Sequence, residues 1–478
     1  MQQHFPIVLV GNALSLMVAA TRLTQQGAKV AIVNSGKNWG GHFTTMTCKG
    51  VVFDPGMVLH EFTSYRPSPY VEDVRTYNPA IRNDAGRFCD TVRRYVCTYQ
   101  EFRDITVPKM YVDGAVYDDV LISNALLSMQ QLRFRDSVES DLLALLDGSV
   151  ASPWHASRKY SNEDFKRLDY RTASLVNHGT TFHAKLIEPY CRKVLNIAAN
   201  DVVALYHRVA WLPLFYPETL VSYLQGTPQA LPPTIFSYPH RERVGDFANK
   251  LKSELESSDR VTIIPEQLVR VSTLETGGYE LEFSDRAVVS AGKLAWSNNL
   301  SDLLRALGLT EQVASYQKCS IALAFLRIPT SKLKLDFTVL NVVDPEIGIY
   351  RVTNQSECAG VESAFADLVA EVNPDYAAPM MTAGAQEGLV RLILDDLVRL
   401  GVVDEPGHVD CLDVKQLKNA LMLPSGPNHR SFMQEINAAD AAAPEVALLG
   451  PASGFFSSSF NDQVVQGLKL ASAWEHSP

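Results

Sequence analysis

An apolar strand, a glycine and an apolar helix follow one another near the start of the chain. Pro6 to Val10 reads PIVLV, Gly11 breaks the run, and Leu14, Met17, Val18 and Leu23 recur at helical spacing until Gly27. A second β-run, Lys29 to Val33 (KVAIV), comes at once, so the chain opens with a complete βαβ unit. Two parallel strands joined by a crossover helix need helices on the sheet's faces, which commits the chain to an α/β fold. The stretch Ile7 to Leu23 is interrupted by Gly11, Asn12, Ser15, Thr21 and Arg22, and no basic segment precedes it, so it reads as neither a membrane span nor a signal peptide.

With 478 residues, 46% of them hydrophobic, the chain can bury a large core without disulfides or metals. Lys plus Arg total 43 against 53 Asp plus Glu, and a net charge of -10 repels phosphate backbones and anionic headgroups. Nucleic acid and membrane are therefore not expected partners. The seven cysteines are scattered without a C-x-x-C pair, which argues against a zinc site, an iron–sulfur site or a disulfide framework. No metal is expected, and a reducing cytoplasm fits best.

From about Asp73 to Tyr223 the pattern is mostly helical and polar, with turn breaks at Asp147-Gly148 and Asn177-His178-Gly179. From Val261 to Trp296 it turns β-rich, with Gly277-Gly278 as a hairpin signal. A mixed segment runs from about Gln317 to Leu423, then Ala447 to Gly450 reads as a last buried strand and a helix begins near Asn461. Such an order implies a domain assembled from discontinuous segments.

A dinucleotide site uses G-x-G-x-x-G for a tight turn, for backbone approach to a pyrophosphate and for close helix packing. Here those positions are Gly11, Ala13 and Leu16, so only the turn glycine is present. Where an acidic residue ordinarily ends the second strand and binds a ribose, this chain has Asn34. These residues leave dinucleotide binding and a purely structural βαβ unit both open.

Trp39-Gly40-Gly41-His42-Phe43-Thr44-Thr45, followed by Gly50-Val51-Val52-Phe53-Asp54-Pro55-Gly56, resembles the second signature of the flavin-containing amine oxidase, protoporphyrinogen oxidase and UDP-galactopyranose mutase superfamily. Echoes continue in PKMYVDGAVYDD (Pro108 to Asp119), EPYCRKVLN (Glu188 to Asn196), FSYPHRERVGDFANKLKSEL (Phe236 to Leu255), GIYRVTNQS (Gly348 to Ser356) and LLGPASGFFSSSFNDQVVQGLKLA (Leu448 to Ala471). The resemblance implies a Rossmann-like FAD-binding domain of segments 1–72, 235–305 and 440–478, a helical insertion over 73–234 covering the substrate site, and a mixed α/β substrate domain over 306–439.

It further implies FAD as cofactor, in contact with Gly11, Asn12, Ala13, Leu14, Asn34, Gly40, Gly41, His42, Leu268, Gly450, Asn461, Asp462 and Val464. The pyrophosphate is expected at the turn Gly11 to Leu14, and the isoalloxazine between the Gly40-Gly41 loop and the helix starting near Asn461. Several family features are replaced: the arginine after the double glycine is His42, the closing Gly-Asp or Gly-Arg is Gly450-Pro451, and the P-k-G-G turn reads Pro239-His240-Arg241-Glu242-Arg243.

Asp54 reads as a structural turn or cap residue. His60 falls near a loop that crosses the flavin face in mutase-like members, which makes it the catalytic candidate, although a lone histidine on an apolar strand is ordinarily a core group. Arg351 matches the arginine that grips a substrate diphosphate, with an arginine paired to a carboxylate as the alternative. Arg241, with Arg243 beside it, and Arg430 are further substrate-binding candidates, with solvated surface charge as the other reading.

No nucleophile, metal or phosphate-loop motif is present, which fits a flavoenzyme because the cofactor carries the chemistry. Two classes remain. One is an FAD-dependent oxidoreductase or redox-neutral mutase acting on a small anionic, nucleotide-sugar-like substrate; the other is a flavin-degenerate nucleotide-binding or scaffold protein.

Overall fold

The computed structural model describes residues 3–36, 38–62, 85–147, 167–215, 217–227, 233–381, 385–456 and 458–475. The expected start of the helical insertion at Asp73 and the residue Gly148 of the Asp147-Gly148 turn lie outside them. The chain opens with β1 (Gln3–Val10), α1 (Leu14–Gln25) and β2 (Val30–Val33), then a hairpin of β3 (Met46–Cys48) and β4 (Val51–Phe53). After α2 (Ala85–Val96) come β5 (Phe102–Asp104) and a second hairpin, β6 (Lys109–Val112) and β7 (Ala115–Asp118). Helices α3 (Arg135–Leu146), α4 (Tyr170–Phe182), α5 (Glu188–Leu195) and α6 (Pro217–Leu224) follow.

The chain returns through β8 (Ser237–Pro239) and α7 (Gly245–Ser257) to β9 (Val261–Ile264), β10 (Leu268–Thr273), β11 (Tyr279–Phe283) and β12 (Val288–Trp296), then α8 (Leu300–Ala306). The remainder includes β13 (Lys318–Pro329), β14 (Val339–Val342), β15 (Ile349–Asn354), α9 (Gln355–Ala359), β16 (Phe365–Val372), α10 (Ala385–Arg399), β17 (Asp410–Met422), α11 (Gly426–Ala442), β18 (Ala447–Leu448) and α12 (Phe460–Trp474).

The first sheet runs β10-β11-β12-β1-β2-β9, with β18 beside β12. Strands β12, β1, β2 and β9 are parallel, and the ends of β1 and β2 nearest the turn are wholly buried, as strands covered on both faces must be. The chain leaves β1 for β2 on one side and returns to β12 on the other, so the carboxyl end of β1, at Gly11, is a topological switch point. Strand β9 belongs to this parallel set, whereas the sequence grouped it with the antiparallel meander that β10, β11 and β12 form. Gly277 and Gly278, at φ of 88° and 86°, close the β10–β11 hairpin.

Helices α1 and α12 lie against each other because Gly467 has no side chain: a Cβ there would stand 2.4 Å from the Ser15 carbonyl oxygen. Leu16 fits without a glycine's help, being fully buried in the same core.

The second sheet runs β17-β13-β16-β15-β14-β6-β7, so the early hairpin β6–β7 adds to strands far downstream. One of its faces packs on Leu389, Ile393 and Leu397 of α10. On the other, Phe53 of the β3–β4 hairpin meets Phe325 at 5.2 Å, which seats the hairpin on that face.

Asn177-His178-Gly179, expected as a turn, lies inside α4. Gly179 alone leaves the helical region (φ 79°, ψ 172°), and the helix continues past this kink. His178 explains why the segment stays inside. Its Nε2 accepts the Phe215 amide hydrogen at 2.9 Å, so its Nδ1 carries the proton and donates to Ser174 Oγ at 3.0 Å. The Ser174 hydroxyl then donates to Nδ1 of His183, also at 3.0 Å.

Candidate functional site

At the switch point, Gly11 turns with φ 119°, and a Cβ on it would meet Ser297 Oγ at 2.4 Å. The glycine is therefore required by the packing of the β1 and β12 ends. Ala13 starts α1 without a side-chain cap, and the first turn of the helix holds no acidic residue. Its amide points to Ser297 Oγ at 3.4 Å, and the Ser15 amide donates to Gln463 Oε1 of α12. The amide of Asn12 has no hydrogen-bond partner among the described residues, whereas that of Leu14 is engaged by the bridge between Ala13 and Gly40.

The Gly40-Gly41 loop docks on this turn. Gly40 N donates to the Asn12 carbonyl at 2.8 Å, and Ala13 and Gly40 form a parallel bridge. A Cβ on Gly40 would stand 2.7 Å from that of Ala248, so Gly40 lets the loop sit on α7; Gly41 has only the Ala13 Cα within reach, at 3.9 Å. The amides of Gly41 and His42 are likewise without partners among the described residues. Three orphan donors thus lie at the positive end of α1, a donor set suited to an anionic group such as a pyrophosphate.

The neighbouring contacts fit FAD less closely. Asn34 turns its side chain into its own loop: Oδ1 accepts from Gly36 N at 3.1 Å, and Nδ2 reaches the Asn38 carbonyl at 3.5 Å. The Gly450 amide is taken by Gln466 Oε1, and a Cβ on Gly450 would touch that of Ala13 at 2.9 Å. Leu14 and Val464 are fully buried in the core, so their side chains serve packing and are closed to a ligand. Leu268 is half-buried at the start of β10.

At the start of α12, Ser459 and Asp462 form a reciprocal capping box, and Asn461 donates to the Glu61 carbonyl at 3.1 Å. The space expected for an isoalloxazine between this helix and the Gly40-Gly41 loop holds rings already. Phe43 and Phe460 meet edge to face at 5.2 Å, and Phe460 stands 4.3 Å from His60. The exposed His42 imidazole lies 3.9 Å from the Phe43 ring, and desolvation lowers its pKa to about 4.

His60 is completely buried among Phe62, Phe102 and Phe460, and neither ring nitrogen has a partner. Burial lowers its pKa to about 3, so it is a neutral imidazole with two unmet hydrogen-bonding atoms. Unsatisfied buried polar atoms cost about 1–3 kcal/mol each.

Arg351 lies on β15, an inner strand, and is held by a carboxylate. Its Nε and Nη2 donate to the two oxygens of Glu371 on β16, at 2.8 and 2.6 Å. Burial opposes the charge, but the Glu371 carboxylate more than offsets it and raises the guanidinium's pKa. Glu371 also accepts from the Met57 amide at 2.8 Å and the Tyr350 hydroxyl at 3.1 Å. Gly56 is needed beside it, since a Cβ there would come within 3.1 Å of the carboxylate. The network continues where Tyr190 donates to Asn341 Oδ1 at 3.2 Å and Asn341 Nδ2 donates to Asp119 at 2.7 Å. Asp119 is fully buried, and desolvation pushes its carboxyl up to about 6.

Asp54 accepts from the Val244 and Gly245 amides at 3.0 and 3.1 Å and from the Tyr238 hydroxyl, which caps α7. Arg241 is exposed and keeps a left-handed backbone, φ 58°, where the resembling turn has glycine. Arg243 is tied to the Val52 and Gln355 carbonyls and stands 3.5 Å from Asp367. Neither is brought to Arg351. Arg430 is exposed on α11 and lines a separate cleft. Glu371, Gln463 and Gln466 were missed by the sequence reading, since each acts on a residue distant along the chain.

Among the described residues, no helix is long and apolar enough to cross a membrane and no cluster of three or more His, Cys, Asp or Glu side chains is placed to hold a metal. No protein-family model and no curated protein matches the chain. Solved structures do. A reduced UDP-galactopyranose mutase aligns with a TM-score of 0.71 at 14% identity, covering 98% of this chain and 95% of its own. A protein from Exiguobacterium sp. 255-15, provisionally assigned as a protoporphyrinogen oxidase, aligns with a TM-score of 0.66 at 14% identity over 99% of both chains. The cyclohexylamine oxidase of Brevibacterium oxydans IH-35A aligns with a TM-score of 0.61 at 16% identity over 98% of both. From end to end, the chain has the fold shared by UDP-galactopyranose mutase and these oxidases.

Proposed function

We propose that the protein is an FAD-dependent enzyme, an oxidoreductase or a redox-neutral mutase, acting on a small molecule. The observation that carries the reading is the set of orphan amides of Asn12, Gly41 and His42, gathered at the N-terminus of α1 and at the switch point of a parallel sheet. FAD, when bound, supplies a flavin ring that accepts a hydride or forms a bond to substrate carbon. The chain's own residues would then hold the pyrophosphate with those amides, present His42 beside the ring, and offer the nitrogens of His60 as unmet hydrogen-bonding atoms.

For the substrate we propose an anion at Arg351. Glu371 takes two of its five N–H groups and fixes the plane of the guanidinium, so a phosphate or carboxylate would be recognised by the donors that remain.

The visible absorption spectrum of purified protein, before and after adding FAD, tests the first proposal: a flavin band that persists after desalting is expected. A colourless protein that also gives no heat with FAD or NAD(P) in calorimetry overturns it. A flavin-degenerate nucleotide-binding or scaffold protein would then be the reading, one that the Asn34 loop contact and the Ser459–Asp462 capping box already favour.

A further inference from the structure

A cleft of about 1060 Å3 opens where the lead-in to α4, the segment after α5, the first residues of β13 and the start of α11 meet. Its apolar wall includes Leu168, Ile197, Val202, Val203 and Leu423. Three cations, Arg167, Lys318 and Arg430, also line it, and none of them forms an ion pair with a described residue.

The charge is poorly placed for a protein standing alone. Arg430 lies in the second turn of α11, and its Nη1 folds back to within 3.4 Å of where a Gly426 Cβ would be, at the end of the helix whose dipole repels cations. The first turn of α11 holds no acidic residue. The lining sets two carboxylates against these three cations: Asp169, which accepts from the amide and hydroxyl of Thr172 and caps α4, and Asp201. A chain with a net charge of -10 thus gathers an excess of positive charge in one hollow above an apolar wall.

We propose that this cleft binds a small organic phosphate, its anionic head held by Arg430, Lys318 and Arg167 and its apolar body against Leu168, Val202 and Leu423. An anion here resolves the repulsion between Arg430 and the helix end, and the guanidinium forks suit phosphate oxygens. The site shares no residue with the amides at Gly11 or with Arg351, so it does not depend on flavin binding.

Phenyl phosphate, followed by phosphorus NMR line broadening on the full chain, is the probe. Binding is expected, weakening as salt is raised, with inorganic phosphate bound more weakly because it lacks the apolar body. The double variant Arg430→Gln/Lys318→Gln should raise Kd by about tenfold or more, while Gly41→Asp, which blocks the other anion-suited position, should leave it unchanged. An unchanged Kd in the double variant overturns the proposal. So does loss of binding in Gly41→Asp alone, which would put the anion at the Gly11 turn, or equal affinity for the two probes. Circular dichroism of each variant confirms that it is folded.

Discussion

At Arg351 a single side chain carries two readings that make opposite forecasts. Bidentate pairing with Glu371 means that a lysine keeps the charge but loses one of two charge-assisted hydrogen bonds, each worth about 1.5–3 kcal/mol. Arg351→Lys is therefore expected to lower unfolding stability by about that amount in urea titration. If stability is unchanged while substrate affinity falls, the guanidinium's free donors matter more than its pairing. Gly41 offers a cleaner test, because only Ala13 Cα lies near its missing side chain and its φ of 61° is tolerable to Asp. Gly41→Asp puts an anion among the orphan amides, and loss of FAD retention with a near-native melting temperature is the expected result. Neither Glu371 nor the amides could be read from the sequence: a carboxylate one strand away and an unpaired N–H carry no local pattern.

Among the elements, the opening βαβ unit, the meander and the start of α12 were legible, because periodicity and paired glycines are local properties. The kink in α4 was not. Asn-His-Gly reads as a turn, but His178 is held inside by Ser174 and Phe215, and that tertiary contact overrides the local signal. The contact between α1 and α12 rests on one glycine, and Gly467→Ala should force the helices apart at a cost of about 1–3 kcal/mol, read as a lowered urea midpoint. A midpoint within error of wild type would mean that the helices shift freely.

The whole molecule keeps several histidines neutral in the folded state. His42, His60, His178 and His183 all have lowered pKa values, with desolvation the leading cause at each. Such a group stabilises the fold fully above its unfolded pKa of about 6.5 and loses that contribution as pH falls towards the folded value. Asp119 works the other way, since a carboxyl raised to about 6 favours the fold below its unfolded pKa and loses that contribution as pH rises through about 6. With four histidines lowered against three carboxyls raised, Asp54, Asp119 and Asp396, stability is expected to fall between pH 6.5 and 4, with net proton uptake on unfolding. A urea midpoint that rises over that interval would contradict this.

The interleaving of the two sheets has a consequence in time. The Ala13 amide meets Ser297 across 284 positions, and Asp119 meets Asn341 across 222. At a synthesis rate of about 5–20 residues per second, β1 would wait roughly 15–60 s for β12 to emerge, and the β6–β7 hairpin nearly as long for β14. Until then β1 has only β2 beside it, with β9 joining β2 shortly before β12 emerges, and its other edge is open to any passing strand. A ribosome-stalled chain ending before β12 should therefore be cut by protease throughout its first sheet, whereas one carried past β18 should resist. Protection of β1 in the shorter chain would show that the half-built sheet already holds.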